Sequence, residues 1–183
     1  HAEHALALFR ELGDGIGEAE VVDALARCAR DEGQLSRAIE LANEAMELAS
    51  VLGDRSLFGR IQLKRADHLI AANRTDEADT ALVRAINAAT ATGDNLTSAR
   101  ACLRLARLIE RDSADDAWIL AERARGLMDA IRHPLAGRCR VYQLRLERQG
   151  LLSVTHTAML SRCDERLASL LADDRLSLRP SWR

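Results

Sequence analysis

The chain has 183 residues, of which 48% are hydrophobic, and its formal charge at neutral pH is −2. This length and apolar content suffice for a buried core, and the near-neutral charge excludes a general electrostatic attraction to nucleic acid or anionic membranes. Uncharged runs are far shorter than the roughly 20 apolar residues of a membrane span, so we expect no partner in a membrane.

Helix-forming residues dominate the composition, whereas prolines number only two and aromatic residues make up 3%. An abundance of alanine, leucine and arginine is typical of long helices, so the composition predicts an all-α protein. The chain starts at His1 and carries no signal-peptide pattern. We therefore interpret it as part of a longer cytoplasmic protein or as a processed chain.

The predicted elements follow a repeat of 40 residues, because the dipeptide Gly-Asp occurs at 13–14, 53–54 and 93–94. Glycine ends a helix well, and aspartate caps the first free amides of the next one. Between these boundaries apolar residues recur at steps of three and four, which indicates amphipathic helices. The pattern predicts a short helix over 2–12 and then helices over 14–31, 35–51, 54–72, 75–91, 94–111, 114–130, 134–149 and 153–171.

The last predicted unit departs from the pattern. A one-residue deletion near 112–113 shortens the spacing to 39 and aligns His133 with Asp94. In that register Arg145, and later Thr155 or His156, stand where the other units have small residues. We interpret 134–171 as a degenerate capping repeat and 172–183 as a frayed tail.

Small residues recur at fixed positions of each unit, and this pattern resembles the tetratricopeptide family in its longer form of about 40 residues. Such residues let two helix axes approach closely. The residues that carry the resemblance are Ala26, Ala38, Ala45, Ala66, Ala78, Ala85, Ala106, Ala117 and Ala124, with Gly33 at the turn between helices. The resemblance implies one domain over 1–183, a right-handed α-solenoid of antiparallel helix pairs. Its units are a half repeat at 2–12, full repeats at 14–51, 54–91 and 94–130, and the capping repeat at 134–171.

The same resemblance implies a concave groove lined by the first helix of each unit. Arginines slightly outnumber carboxylates among the implied lining residues, so the groove favours a protein or peptide ligand with acidic character. The half repeat at 2–12 leaves an apolar end, which favours contact between copies of the chain. The implied groove residues are Glu20, Asp23, Arg27, Arg30, Arg60, Leu63, Asp67, Ile70, Arg100, Leu103, Arg107 and Glu110.

Candidate chemical sites have simpler structural explanations. The glycines at 13, 15 and 17 lack the spacing of a phosphate-binding loop, and the adjacent Asp67 and His68 point about 100° apart on a helix. The four cysteines have no metal-site spacing, so we interpret them as small apolar residues. Trp118 is expected to cover a helix junction. We therefore predict no catalytic residue, no cofactor and no metal ion.

The sequence leads to a non-enzymatic interaction scaffold as the first functional hypothesis. A second hypothesis is a ligand-responsive sensor segment of a large bacterial ATP-dependent transcriptional regulator, because repeats with the Leu-Gly-Asp junction resemble the helical regions of such proteins. A third is the substrate-recruiting arm of an enzyme. Direct binding of nucleic acid by this segment is not expected, and the sequence leaves open whether the ligand is a peptide or a small molecule.

Overall fold

The structure is a computed structural model, and it describes residues 2–148 of the chain. These residues form eight α-helices and no strand, so the all-α prediction is confirmed for them. Each helix begins and ends within two residues of its predicted bounds, whereas the predicted helix over 153–171 and the tail over 172–183 lie outside the described residues. The helices are α1 (Ala2–Leu12), α2 (Gly15–Asp31), α3 (Leu35–Leu52), α4 (Arg55–Ala71), α5 (Thr75–Thr92), α6 (Asn95–Ile109), α7 (Ala114–Ala130) and α8 (Leu135–Arg148).

The Gly-Asp boundaries act as predicted. The carboxylates of Asp14, Asp54 and Asp94 accept hydrogen bonds of 2.9 to 3.0 Å from the amide three residues later, which satisfies one free N–H of α2, α4 and α6. The preceding glycines adopt positive φ angles of 67° to 70°, a backbone conformation that other residues rarely adopt. The repeated dipeptide therefore ends one helix and starts the next.

The chain divides into two compact units, and the first contains the described residues up to Thr92. In this unit each helix from α1 to α5 packs against the next one in sequence, and α2 also contacts α4. The small residues that the repeat pattern singled out are fully buried where these helices meet, which confirms their packing role. They are Ala26, Ala38, Ala45, Ala66, Ala78 and Ala85.

The first helix, α1, packs against α2. A β-carbon added to Gly17 would lie only 2.4 Å from Cδ1 of Phe9, so the missing side chain makes room for this aromatic ring. Leu8 and Leu12 on the same helix are exposed. The contact between copies of the chain that such residues favour stays a prediction.

The second unit begins at Gly93, and its described helices are α6, α7 and α8. Helix α7 packs against both α6 and α8 around Trp118, Leu120 and Met128, all fully buried. Cys102 and Cys139 are also buried, as expected of small apolar residues, and burial raises the pKa of Cys102 to about 12. Cys28 is exposed, which corrects that interpretation, because it lies about 100° around α2 from the nearest inward-facing residue.

Burial in α8 keeps the spacing of 40 rather than 39. Its buried residues Cys139, Tyr142 and Leu146 follow the buried Ala99, Cys102 and Ala106 at that interval. The spacing of 39 holds in α7, whose buried Ala117 and Ala124 follow Ala78 and Ala85 at that interval. It also holds at the turn before α8, where Nδ1 of His133 accepts a hydrogen bond of 3.2 Å from the Leu135 amide. The sequence pattern placed Arg145 at a small-residue position, and the structure shows that this is wrong. That position belongs to Leu146, and Arg145 is exposed.

A search of the described helices finds none that combines the length and the apolar character required to cross a membrane.

Candidate partner-binding clefts

The first cleft lies between α2 and α4 in the first unit and has a volume of about 270 Å³. Helix spacing places its lining residues at intervals of three and four on both helices, so each helix presents one stripe. The lining residues are Glu20, Asp23, Ala24, Arg27, Leu57, Arg60, Ile61 and Lys64.

Two ion pairs bridge the first cleft. Nη2 of Arg60 lies 3.1 Å from Oε1 of Glu20, and the ammonium of Lys64 pairs with the carboxylate of Asp23. Asp23 is only 4% exposed, and among the described residues its Oδ1 has no hydrogen-bond donor. Arg27 is exposed and makes no ion pair with any residue in 2–148. With respect to residues 2–148, the cleft thus has one carboxylate oxygen without a donor and one guanidinium without an ion-pair partner.

The structure brings together four of the groove residues that the resemblance implied for this unit, namely Glu20, Asp23, Arg27 and Arg60. The others lie outside the cleft. Leu63 is buried, Arg30 pairs with Asp31 at 3.0 Å, Asp67 is half-buried and Ile70 is partly exposed. Leu63 is therefore a core residue, because it is only 8% exposed and lines neither cleft.

The second cleft belongs to the second unit and has a volume of about 660 Å³. Arg107 in the last turn of α6 and Glu110 just after that helix form one wall, and Pro134 with residues of α8 forms the other. Arg107 and Glu110 were implied groove residues, whereas Arg100 is exposed outside the cleft and Leu103 is buried. The lining residues are Arg107, Glu110, Pro134, Gly137, Arg138, Val141, Tyr142 and Arg145.

A hydrogen-bonded cluster fixes one side of the second cleft. The hydroxyl of Tyr142 lies 2.8 Å from Oε2 of Glu110 and 3.1 Å from the carbonyl oxygen of Ala106. Arg145 pairs with the same carboxylate, and its guanidinium carbon lies 5.0 Å from the centre of the Tyr142 ring. Burial, with the neighbouring Glu110, raises the pKa of Tyr142 above its usual range.

The α8 side of this cleft was missed in the sequence, because the fourth unit was interpreted as a cap. One available signal was the 40-residue spacing, which aligns Gly137 and Val141 with Leu57 and Ile61 of the first cleft over two repeats.

Polar chemistry outside the clefts is limited. In the described part of the chain, no three histidine, cysteine or acidic side chains come close enough to hold a metal ion. His68 is almost fully buried on α4, and neither of its ring nitrogens has a hydrogen-bond partner within residues 2–148. This residue lies in a core position, where it affects stability.

We expect His68 to make the fold sensitive to acid. Burial lowers the pKa of His68, and the positive charge of Arg30 lowers it further. Above its unfolded pKa of about 6.5 the imidazole is neutral in both states, whereas below it the unfolded chain binds a proton that the folded chain does not. The free energy of unfolding should therefore fall by up to about 1.4 kcal/mol per pH unit below about pH 6.5.

Urea denaturation of the wild type and of His68→Leu at several pH values measures this slope. The variant should lose part of the acid sensitivity, whereas the control His4→Gln, which alters an exposed histidine of α1, should retain it. Equal slopes in the wild type and His68→Leu would contradict the explanation.

Comparison with models of known protein families gives no match, and no curated protein is significantly similar to the chain.

Proposed function

We propose that this chain is a non-enzymatic interaction scaffold that binds a peptide segment of a partner protein in the clefts between its first helices. In this proposal the helices form a right-handed α-solenoid of antiparallel pairs, similar to the tetratricopeptide family. The 40-residue repeat, the turns of two to four residues between successive helices and the contact between α2 and α4 support it.

The first cleft carries the proposal. A peptide backbone needs both donors and acceptors, since each of its amides loses hydrogen bonds to water on binding. Asp23 has a buried oxygen without a donor, and the exposed guanidinium of Arg27 has no carboxylate partner among the described residues. Together they match the two polar groups of a peptide unit, and Leu57 and Ile61 line the cleft beside them.

The arginines of the clefts suit side chains of the partner as well. A guanidinium donates two parallel hydrogen bonds to a carboxylate, which gives direction as well as affinity. Arg27 and Arg107 make no ion pair within residues 2–148, so a ligand does not have to displace a partner among these residues from either one.

The proposal predicts that peptides selected from a random phage-displayed library will bind through these arginines. Arg27→Glu or Arg107→Glu should weaken binding of the selected peptides about tenfold or more, because each reversal replaces an attractive contact with a repulsive one. Fluorescence anisotropy with labelled synthetic copies of the peptides measures the change.

Arg84→Glu is the matched control, because Arg84 lies on α5, a second helix, and lines neither cleft. Binding to this variant should stay within about twofold of the wild type, since surface charges away from a contact contribute little. The proposal is wrong if no peptide is enriched, or if the selected peptides lose affinity only on Arg84→Glu.

The sensor-segment hypothesis remains a prediction. Sequence that flanks this segment in its gene would test it, since a nucleotide-binding motif upstream or a helix-turn-helix downstream is what the hypothesis requires.

A further inference from the structure

We infer that the second cleft recognises an acidic peptide segment, with a carboxylate held by Arg107 and Arg138 and an adjacent apolar side chain on Val141. The inference rests on the proposed scaffold function and names the ligand chemistry of one of its clefts.

The second cleft has an excess of positive charge. The second cleft contains three arginines and one carboxylate, that of Glu110. This carboxylate forms an ion pair with Arg145 and accepts a hydrogen bond from the hydroxyl of Tyr142. Arg107 and Arg138 are exposed and form no ion pair with other described residues. Within residues 2–148, two positive charges therefore face the second cleft without an ion-pair partner, whereas in the first cleft two of the three cations are paired.

The second cleft also has a larger volume than the first, and the repeat register explains this difference. Gly137 stands where the first cleft has Leu57, which is almost fully buried, so the second cleft lacks a side chain that fills the first one. A β-carbon added to Gly137 would have no described atom within 4 Å. The volume of the second cleft is accordingly about 660 Å³, against about 270 Å³ for the first cleft. The volume of the second cleft is within the range of natural ligand sites.

The apolar part of the site is Val141, which is 67% exposed although Ile61, its equivalent in the first unit, is 1% exposed. Val141 follows Arg138 by three residues and precedes Arg145 by four, so the three side chains share one stripe of α8. A peptide with acidic and apolar residues in alternation matches this arrangement of guanidinium and methyl groups.

A nucleic acid fits the site less well. Base stacking needs an exposed aromatic ring, but the only aromatic side chain that lines the cleft is the buried Tyr142, and Arg145 covers its ring.

The test uses the chain of residues 1–183 and two fluorescein-labelled hexapeptides, one of alternating glutamate and leucine and one of alternating glutamine and leucine. The acidic peptide should bind about tenfold tighter or more, because two charge-assisted contacts are lost with glutamine. Arg107→Gln combined with Arg138→Gln should abolish this preference, and Gly137→Leu should block binding of the acidic peptide by filling the cleft.

Arg111→Gln is the matched control, since Arg111 is an exposed arginine of the same unit that does not line the cleft, and it should leave the preference unchanged. Circular dichroism spectra and melting temperatures confirm that each variant is folded. The inference is overturned if the two peptides bind equally, if the double variant retains the preference, or if hexathymidylate displaces the acidic peptide as well as unlabelled acidic peptide does.

These outcomes separate the inference from the proposed function. If library-selected peptides still lose affinity on Arg27→Glu while the acidic hexapeptide shows no preference, the scaffold function stands and the acidic specificity of the second cleft is wrong. If neither probe binds, both proposals are wrong.

Discussion

Replacing Trp118 by alanine should lower the free energy of unfolding by about 3 to 5 kcal/mol, the largest effect that we expect from a single substitution in this chain. Trp118 is 0% exposed and packs in the core of the second unit. Its indole Nε1 donates a hydrogen bond of 3.0 Å to Oε1 of Glu147 on α8. The substitution therefore opens a large cavity and also removes a bond between α7 and α8.

Urea denaturation followed by circular dichroism measures this loss without relying on tryptophan fluorescence, which the substitution changes. Trp118→Phe is the control, because it keeps much of the apolar contact while losing the donor and part of the ring, and it should cost roughly 1 to 2 kcal/mol. A cost below about 1 kcal/mol for Trp118→Ala would show that α8 does not depend on this contact.

Replacing Gly59 by leucine should destabilise the first unit by about 1 to 3 kcal/mol or more. A β-carbon at this position would lie 3.3 Å from Cβ of Ala88 and 3.4 Å from the backbone nitrogen of Ala89. A backbone atom cannot move aside as a flexible side chain does, so α4 and α5 must separate to admit the new atoms.

The matched control for Gly59 is the same substitution at Gly137, which is also inside a helix but has open space around it. Gly137→Leu should raise the free energy of unfolding by roughly 0.5 to 1 kcal/mol, because glycine is a poor helix former. Chemical denaturation of both variants measures the two changes. Equal effects at the two positions would mean that helix propensity, and not the close approach of α4 and α5, determines the result.

Much of the fold could be predicted because its signals are local. A Gly-Asp boundary needs only the conformational freedom of one residue and the carboxylate of the next, so α2, α4 and α6 begin within one residue of their predicted starts. The buried alanines were predictable for a similar reason, since the space between two close helices admits only small side chains.

The register of α8 and the second cleft could not be derived in this way. The alignment of His133 with Asp94 gives the repeat spacing at the turn before α8, which is 39 residues. Packing against α7 determines which residues of α8 are buried, and these follow the buried residues of α6 at 40 residues. The partners of the charged residues depend on distances between helices that spacing does not give. In the structure Arg60 and Lys64 form ion pairs, whereas Arg27 and Arg107 form none with the described residues.

The order in which the helices contact one another also bears on how quickly the chain folds. Among the described helices of each unit the extensive contacts join helices that are adjacent in sequence, and α2 also makes a small contact with α4. Forming such contacts closes only short stretches of chain, and the entropy lost on closure grows with their length. Small proteins dominated by contacts of this kind fold in microseconds to milliseconds. The described helices of each unit therefore have the contact pattern of a fast-folding protein, in which a helix can pack almost as soon as the next one has formed.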